Sequence, residues 1–97
     1  MTRIELAPEI HDDFDRIFEH LRQHQVPDPD QRIAAIIKAL EVLEENPLIG
    51  RPVGGDLREL VIGQRSRGYV ARYQYVAAME TVFVLALRGQ KEAGYRD

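Results

Sequence analysis

The first candidates for chemistry in this sequence are arginines in its second half. Arg65, Arg67 and Arg72 lie close together, and Arg88 closes a run of apolar residues. A guanidinium group binds both phosphate and carboxylate oxygens in a forked geometry. The cluster therefore indicates contact with a phosphate backbone or with an acidic protein surface. The structural alternative is a solvated turn and strand edge, whose charges discourage pairing with other chains.

A tyrosine and two histidines are further candidates. Tyr95 has the chemistry of a general acid or base, although packing of its ring is the simpler interpretation. His20 and His24 are four residues apart, a spacing that holds zinc on some helices. Because no third ligand is evident, we expect both histidines on a solvated helix face. We predict no metal site and no cofactor.

Charge is divided unevenly along the 97 residues. The net charge is −3, but residues 1–50 carry −6 and residues 51–97 carry +3. A protein that coats nucleic acid is usually basic throughout, so this class is disfavoured. The chain has no cysteine, which excludes disulfides and thiolate metal sites. No apolar run approaches the ~20 residues that span a bilayer. We expect one domain, residues 1–97, in the cytoplasm, with no membrane partner.

Two helices are predicted in the first half, after a strand over residues 2–7. The first helix begins at Pro8 and runs to Gln23 or His24, with an apolar stripe on one side. We expect its aspartates on the solvated surface. Residues 26–30 contain two prolines and form the connector, with Asp28 as the N-cap of the second helix. That helix ends at Asn46 and Pro47, and residues 48–56 are predicted to be a loop. The second apolar stripe has these members: Ile33, Ile36, Ile37, Leu40 and Leu43.

Three strands are predicted in the second half, within residues 57–63, 65–76 and 82–88. In the middle run Tyr69, Tyr73 and Tyr75 share one face with Ala71, and this face suits the helix-covered side. Residues 77–80 form a hairpin turn. Residues 82–87 are apolar on both faces, which indicates a central strand.

These elements predict an α+β fold. A strand, a helical hairpin and a three-stranded antiparallel meander follow one another, and the helices pack on one face of the sheet. If the first strand joins beside the last in parallel, the crossover is right-handed. We expect the hairpin to leave the arginine-bearing side of the sheet uncovered.

The order of these elements and five short motifs resemble the RelE/ParE superfamily of bacterial toxins. The motifs are Gly50-Arg51-Pro52, Leu57-Arg58-Glu59-Leu60, Gly68-Tyr69-Val70-Ala71-Arg72-Tyr73, Val84-Leu85-Ala86-Leu87-Arg88 and Glu92-Ala93-Gly94-Tyr95. The match covers essentially the whole chain. No single motif is diagnostic, but their order and spacing together are specific.

The resemblance implies the toxin of a type II toxin–antitoxin module, held inert by a cognate antitoxin in a hetero-oligomer. The antitoxin or the cellular target would meet the cationic side chains of the sheet half. The residues expected at this contact are Arg51, Arg58, Arg65, Arg67, Arg72 and Arg88.

Members of the superfamily differ in what they attack. The RelE-like branch cleaves messenger RNA in the ribosome with sheet-face cations and a C-terminal tyrosine, whereas the ParE-like branch poisons DNA gyrase. At the positions of those cations this chain has Val61, Gly63 and Val70. The resemblance therefore favours the ParE-like branch, with gyrase as the target.

Two alternatives stay open. The first is a ribosome-dependent endoribonuclease, in which Arg88, Lys91 and Tyr95 would form part of the catalytic set acting on messenger RNA. The second is a degenerate, non-toxic interaction module.

Overall fold

The computed structural model describes residues 2–63 and 68–92, which form two helices and five strands. In chain order they are β1 (Arg3–Leu6), α1 (Ile10–Gln23), α2 (Pro29–Leu40), β2 (Arg51–Gly54), β3 (Leu57–Ile62), β4 (Tyr69–Val76) and β5 (Thr81–Gly89). Short 3-10 helices follow α2 at Glu41–Glu44 and join β4 to β5 at Ala77–Met79. The predicted α+β class is confirmed.

The helical hairpin forms where the sequence predicts it, with small differences at the ends. Pro8 lies in the turn before α1, which begins at Ile10. Asp28 is the N-cap residue of α2 and Pro29 the first helical residue, as predicted. The Asp28 side chain forms no capping hydrogen bond, because its φ of 53° is left-handed rather than the extended conformation of a capping residue.

The second helix is shorter than predicted. α2 ends at Leu40, and the chain tightens into the 3-10 helix before it reaches Pro47. Leu43 lies in that 3-10 helix and is fully buried. Ile37, which the sequence places in the apolar stripe, is exposed. The change of helical pitch after Leu40 turns Leu43 onto the core. Ile37, in contrast, lies within α2 beside the buried face of Ile36 and Leu40.

The five strands form one sheet in the order β1-β5-β4-β3-β2. β1 pairs with β5 in parallel and the other neighbours are antiparallel. β5 is an interior strand as its apolar sequence indicates, but β4 takes the middle position. The prediction of a loop over residues 48–56 is wrong in part, because β2 pairs with β3 there. Pro52 has no N–H to donate, and an edge strand is where a sheet accommodates it.

The helices cover one face of the sheet, and the hydrophobic core lies between them. Ala71 and Tyr73 are buried in this core, and Tyr69 and Tyr75 pack against it, so the predicted facing of the middle run is confirmed. The buried cluster consists of Ile10, Ile17, Leu21, Ile36, Leu40, Leu43, Ile62, Ala71, Tyr73, Val82, Val84 and Leu87. Within residues 2–63 and 68–92, no helix is long and apolar enough to cross a membrane.

Candidate functional site

The face of the sheet opposite the helices carries a mixture of charged and apolar side chains. This open face includes Arg51, Glu59, Val61, Val70, Arg72, Gln74, Ala86 and Arg88. Because side chains alternate along a strand, these residues point away from the core that their chain neighbours fill. Their cross-strand register places seven of them in two adjacent rows, and Gln74 lies in a third row between Leu57 and Phe83.

The first row runs from Arg51 through Glu59 to Arg72. Glu59 is 7% exposed, and its Oε1 accepts a hydrogen bond of 3.0 Å from Arg51 Nη2. Its Oε2 lies 4.0 Å from Arg72 Nη2. Two guanidinium groups therefore share one carboxylate, which offsets half of their charge. Both arginines still reach solvent, Arg51 more than Arg72.

The second row is apolar along most of its length. Val61 is opposite Val70, and Val70 is opposite Arg88. Val70 is buried, whereas Val61 is 51% exposed. The half-buried Arg88 donates from Nη1 to the carbonyl oxygens of Gly89 (3.2 Å) and Glu92 (3.4 Å). The exposed Val61 thus lies beside the shared-carboxylate row, and the buried Val70 separates it from Arg88 at the end of β5.

Arg58 is not part of the open face. It shares the helix-covered side of β3 with Leu60 and Ile62, and its Nη1 donates to the carbonyl oxygens of Leu48 (3.0 Å) and Gly50 (2.7 Å). Arg58 therefore holds the segment that leads into β2, because two backbone acceptors of that segment depend on it. Strand alternation places Arg58 on the face of β3 opposite Glu59, and its predicted contact with an antitoxin or target stays a prediction.

The entry to β2 is fixed by a second contact. The Gly50 N–H donates to the phenol oxygen of the fully buried Tyr73 at 2.8 Å. A Cβ at Gly50 would lie 2.7 Å from that oxygen and 2.7 Å from the Glu59 carbonyl oxygen. Burial raises the pKa of Tyr73, while the Gly50 hydrogen bond and the charge of Arg58 act against the rise. This close approach is why glycine precedes Arg51, and it sets where that arginine emerges on the open face.

The end of β5, which carries Arg88, is held by α1. Asp13 is 4% exposed and accepts a hydrogen bond from the Leu87 N–H at 2.9 Å. Arg16 donates to Asp13 (2.7 Å), to the Leu87 carbonyl (3.0 Å) and to the Glu92 carboxylate (2.9 Å). Burial lowers the pKa of Arg16, but the two carboxylates outweigh it and the net shift is upward. The expectation that all aspartates of the first helix are solvated is therefore wrong for Asp13.

The remaining predicted site residues lie apart from the open face or outside the described chain. Lys91 is exposed in the turn after β5. Arg65, Arg67 and Tyr95 lie outside the described residues. The His20 and His24 rings are 4.2 Å apart, and both side chains are exposed as expected. In residues 2–63 and 68–92, no three His, Cys, Asp or Glu side chains are grouped so as to hold a metal ion.

Sequence reasoning missed Glu59 and Asp13, the two buried carboxylates on which this arrangement depends. Glu59 has one signal in the sequence, because it alternates with Arg58 and Leu60 in a strand and so faces away from the core. Its pairing with Arg51 and Arg72 requires the strand register. The chemistry available on the open face is that of a docking surface, with an exposed valine beside partly neutralised arginines.

Comparisons with known proteins agree on a toxin fold. A family model described as the ParE toxin of type II toxin–antitoxin system, parDE, matches residues 4–94. The chain is similar to the isolated E. coli RelE toxin, with a TM-score of 0.64 and 18% identity over 96% of this chain and 88% of that chain. It is also similar to a chain of the intact E. coli RelBE toxin–antitoxin complex, with a TM-score of 0.62 and 20% identity over 95% and 99%. No curated protein sequence matches it significantly.

Proposed function

The chain belongs to the ParE toxin family of type II toxin–antitoxin systems, and on this premise we propose that it arrests growth by binding DNA gyrase through the open face. It acts as a protein ligand and not as a nuclease. A cognate antitoxin neutralises it by covering the same face in a hetero-oligomer.

The carboxylate of Glu59 is the observation that carries the proposal. It lies between Arg51 and Arg72 and is almost fully buried, so it stays beside both guanidinium groups. A site for a polyanion gains affinity from each uncompensated cation. Catalysis at a phosphate likewise requires cations for the charge of the transition state. A buried carboxylate in the centre of the row therefore opposes both polyanion binding and catalysis at a phosphate.

The apolar part of the open face supports a protein partner. Val61 is exposed at a position where a phosphate-binding surface would carry a cation, and its neighbour Val70 is also apolar. Protein interfaces typically combine an apolar centre with arginines that form hydrogen bonds across the contact. Arg72 and Arg88 flank the valines in this way.

Antitoxin binding to the same face follows from its accessibility. The helices pack on the opposite side, so a partner can reach Arg51, Arg72 and Val61 without unfolding the toxin. An antitoxin segment with acidic and apolar residues matches this surface. One of the similar solved structures is a toxin–antitoxin complex, the RelBE complex of E. coli.

The test is a supercoiling assay with purified gyrase, together with primer-extension mapping of cellular transcripts after induction. The proposal predicts loss of supercoiling, intact messages and relief by the antitoxin. Cleavage within codons and unaffected gyrase would instead establish the endoribonuclease. Harmless accumulation without the antitoxin would establish the degenerate module.

A further inference from the structure

A second surface feature lies away from the open face, at the end of the molecule where the helical hairpin meets the sheet. This hairpin cleft has a volume of about 600 Å³. The C-terminal part of α1 and the α1–α2 connector form one wall. Gly68 and Gly89 form part of the other. A volume of this order is in the range of sites for small molecules.

Cationic and hydrogen-bonding groups line the cleft. Arg32 of α2 and Lys91 of the turn after β5 are both exposed and both border it. Tyr69 also borders it. Burial raises the pKa of this phenol, while the charge of Arg32 lowers it and that of Glu92 raises it. The carboxylate of Glu92 is already bound by Arg16 and repels an incoming anion less than a free carboxylate would.

Flat and apolar groups complete the lining. The imidazole rings of His20 and His24 border the cleft, with centroids 4.2 Å apart and a tilt of 33°. Val26 and Pro27 of the connector supply apolar surface next to them. Aromatic rings of this kind stack on nucleobases irrespective of base identity.

We propose that the hairpin cleft binds a nucleoside phosphate. Arg32 and Lys91 hold the phosphate, the Tyr69 hydroxyl donates a hydrogen bond to it, and the base lies against the imidazole rings and Pro27. Guanidinium and ammonium groups are the usual protein partners of phosphate. The ligand is either a free mononucleotide or an unpaired nucleotide of a strand, since both present the same chemistry.

The test is calorimetric titration of the full chain with AMP, adenosine and inorganic phosphate, with imidazole NMR signals as a second readout. AMP is expected to bind at least about tenfold more tightly than either fragment, because each fragment lacks one half of the contacts. The His20 and His24 signals are expected to shift on addition of AMP. Equal binding of AMP and phosphate, or no binding of AMP, would overturn the proposal.

Variants locate the site. Arg32→Gln and Lys91→Gln are each expected to weaken AMP binding about tenfold, the usual effect of one lost charged hydrogen bond. Tyr69→Phe keeps the ring and is expected to weaken binding less. Arg22→Gln is the matched control, since Arg22 is an exposed arginine of the hairpin that pairs with Glu19 outside the cleft. Unchanged affinity in the two cleft variants, or an equal loss in the control, would contradict the assignment.

A short single-stranded oligoadenylate separates the two sources of the ligand. Tighter binding than AMP, lost in Arg32→Gln, identifies a strand, whereas weaker binding identifies the free nucleotide. If Arg32→Gln leaves the affinity for both AMP and the oligoadenylate unchanged, the proposed site is wrong. The result is independent of the gyrase proposal, because the cleft variants leave the open face intact and gyrase inhibition is measured separately.

Discussion

Asp13 Oδ2 accepts a hydrogen bond of 2.9 Å from the backbone N–H of Leu87, 74 residues further along the chain. The pairing of β1 with β5 ends at Leu6 and Val84, so in the part of the chain that the structure describes no strand pairs with Leu87 on the side of β5 opposite β4. Arg16 donates to the Leu87 carbonyl on the same side. Asp13 and Arg16 of α1 thus form hydrogen bonds with the backbone of Leu87 at an otherwise open strand edge. These contacts also cover a site where another chain could pair with β5.

Replacing Asp13 by alanine is expected to lower the free energy of unfolding by about 1–3 kcal/mol, because the buried Leu87 N–H loses its acceptor. Chemical denaturation measures the change. Asp12→Ala is the control, since Asp12 is an exposed acid of the same first turn and interacts with the same helix dipole. Equal losses in the two variants would show that the Leu87 contact contributes nothing.

Gly50→Ala is expected to destabilise the fold by about 1–3 kcal/mol, because the new Cβ would overlap the Glu59 carbonyl oxygen and the Tyr73 ring. Tyr73→Phe removes the hydrogen bond to Gly50 without adding volume and should also cost about 1–3 kcal/mol, because the buried Gly50 N–H loses its acceptor. Both are measured by urea unfolding. A Gly50→Ala protein as stable as the wild type would refute the close packing seen at this position.

Stability is expected to decline above about pH 10, the ordinary pKa of tyrosine. Burial raises the pKa of Tyr69 and of Tyr73 in the folded state, so the unfolded chain loses these protons first as the pH rises. The stability that the two tyrosines contribute is therefore fully present below the pKa of tyrosine in the unfolded chain. It is lost as the pH rises through their higher pKa in the folded protein. The Tyr69→Phe/Tyr73→Phe double variant should show a shallower decline in urea unfolding measured across this range. An identical pH profile would count against the shifts.

Glu59→Gln is expected to strengthen binding to polyanions, because Arg51 and Arg72 lose the carboxylate that they share. The variant should elute from a heparin column at higher salt than the wild type. Glu19→Gln is the control, since it removes one carboxylate from an exposed pair with Arg22 and changes the net charge equally. An equal shift in both would mean that only net charge matters.

Features with local causes were predicted well from the sequence. Alternation within the middle run placed Tyr69, Tyr73 and Tyr75 on the helix side, and Pro29 marked the start of α2, as the structure confirms. These features depend on the period of the apolar pattern and on the restricted backbone of proline. Both are determined by residues close together in the sequence. β1 pairs with β5 in parallel, an arrangement that the sequence analysis raised as a condition and did not predict.

Features that depend on distant partners were not predicted. β2 reads as a loop because Pro52 and Gly54 disfavour a strand, and it forms only because β3 offers a pairing edge. Asp13 looks like any acid in a first helical turn until β5 places Leu87 beside it. Arg58 was grouped with the other arginines by charge alone, although its alternation with Glu59 in the strand places the two side chains on opposite faces.

A single substitution on the open face tests the central claim most directly. Val61→Glu places a charge on the exposed valine of that face, and Met79→Glu does the same at a 54% exposed residue in the turn between β4 and β5. Burying the new charge against a partner is costly, whereas at a solvent-exposed position it is tolerated.

Inhibition of gyrase supercoiling by the wild type and by the two folded variants is the measurement. The account predicts that the wild type and Met79→Glu inhibit equally and that Val61→Glu needs at least about a tenfold higher concentration, a difference of about 1.4 kcal/mol. Equal inhibition by Val61→Glu, or no inhibition by the wild type, would contradict it.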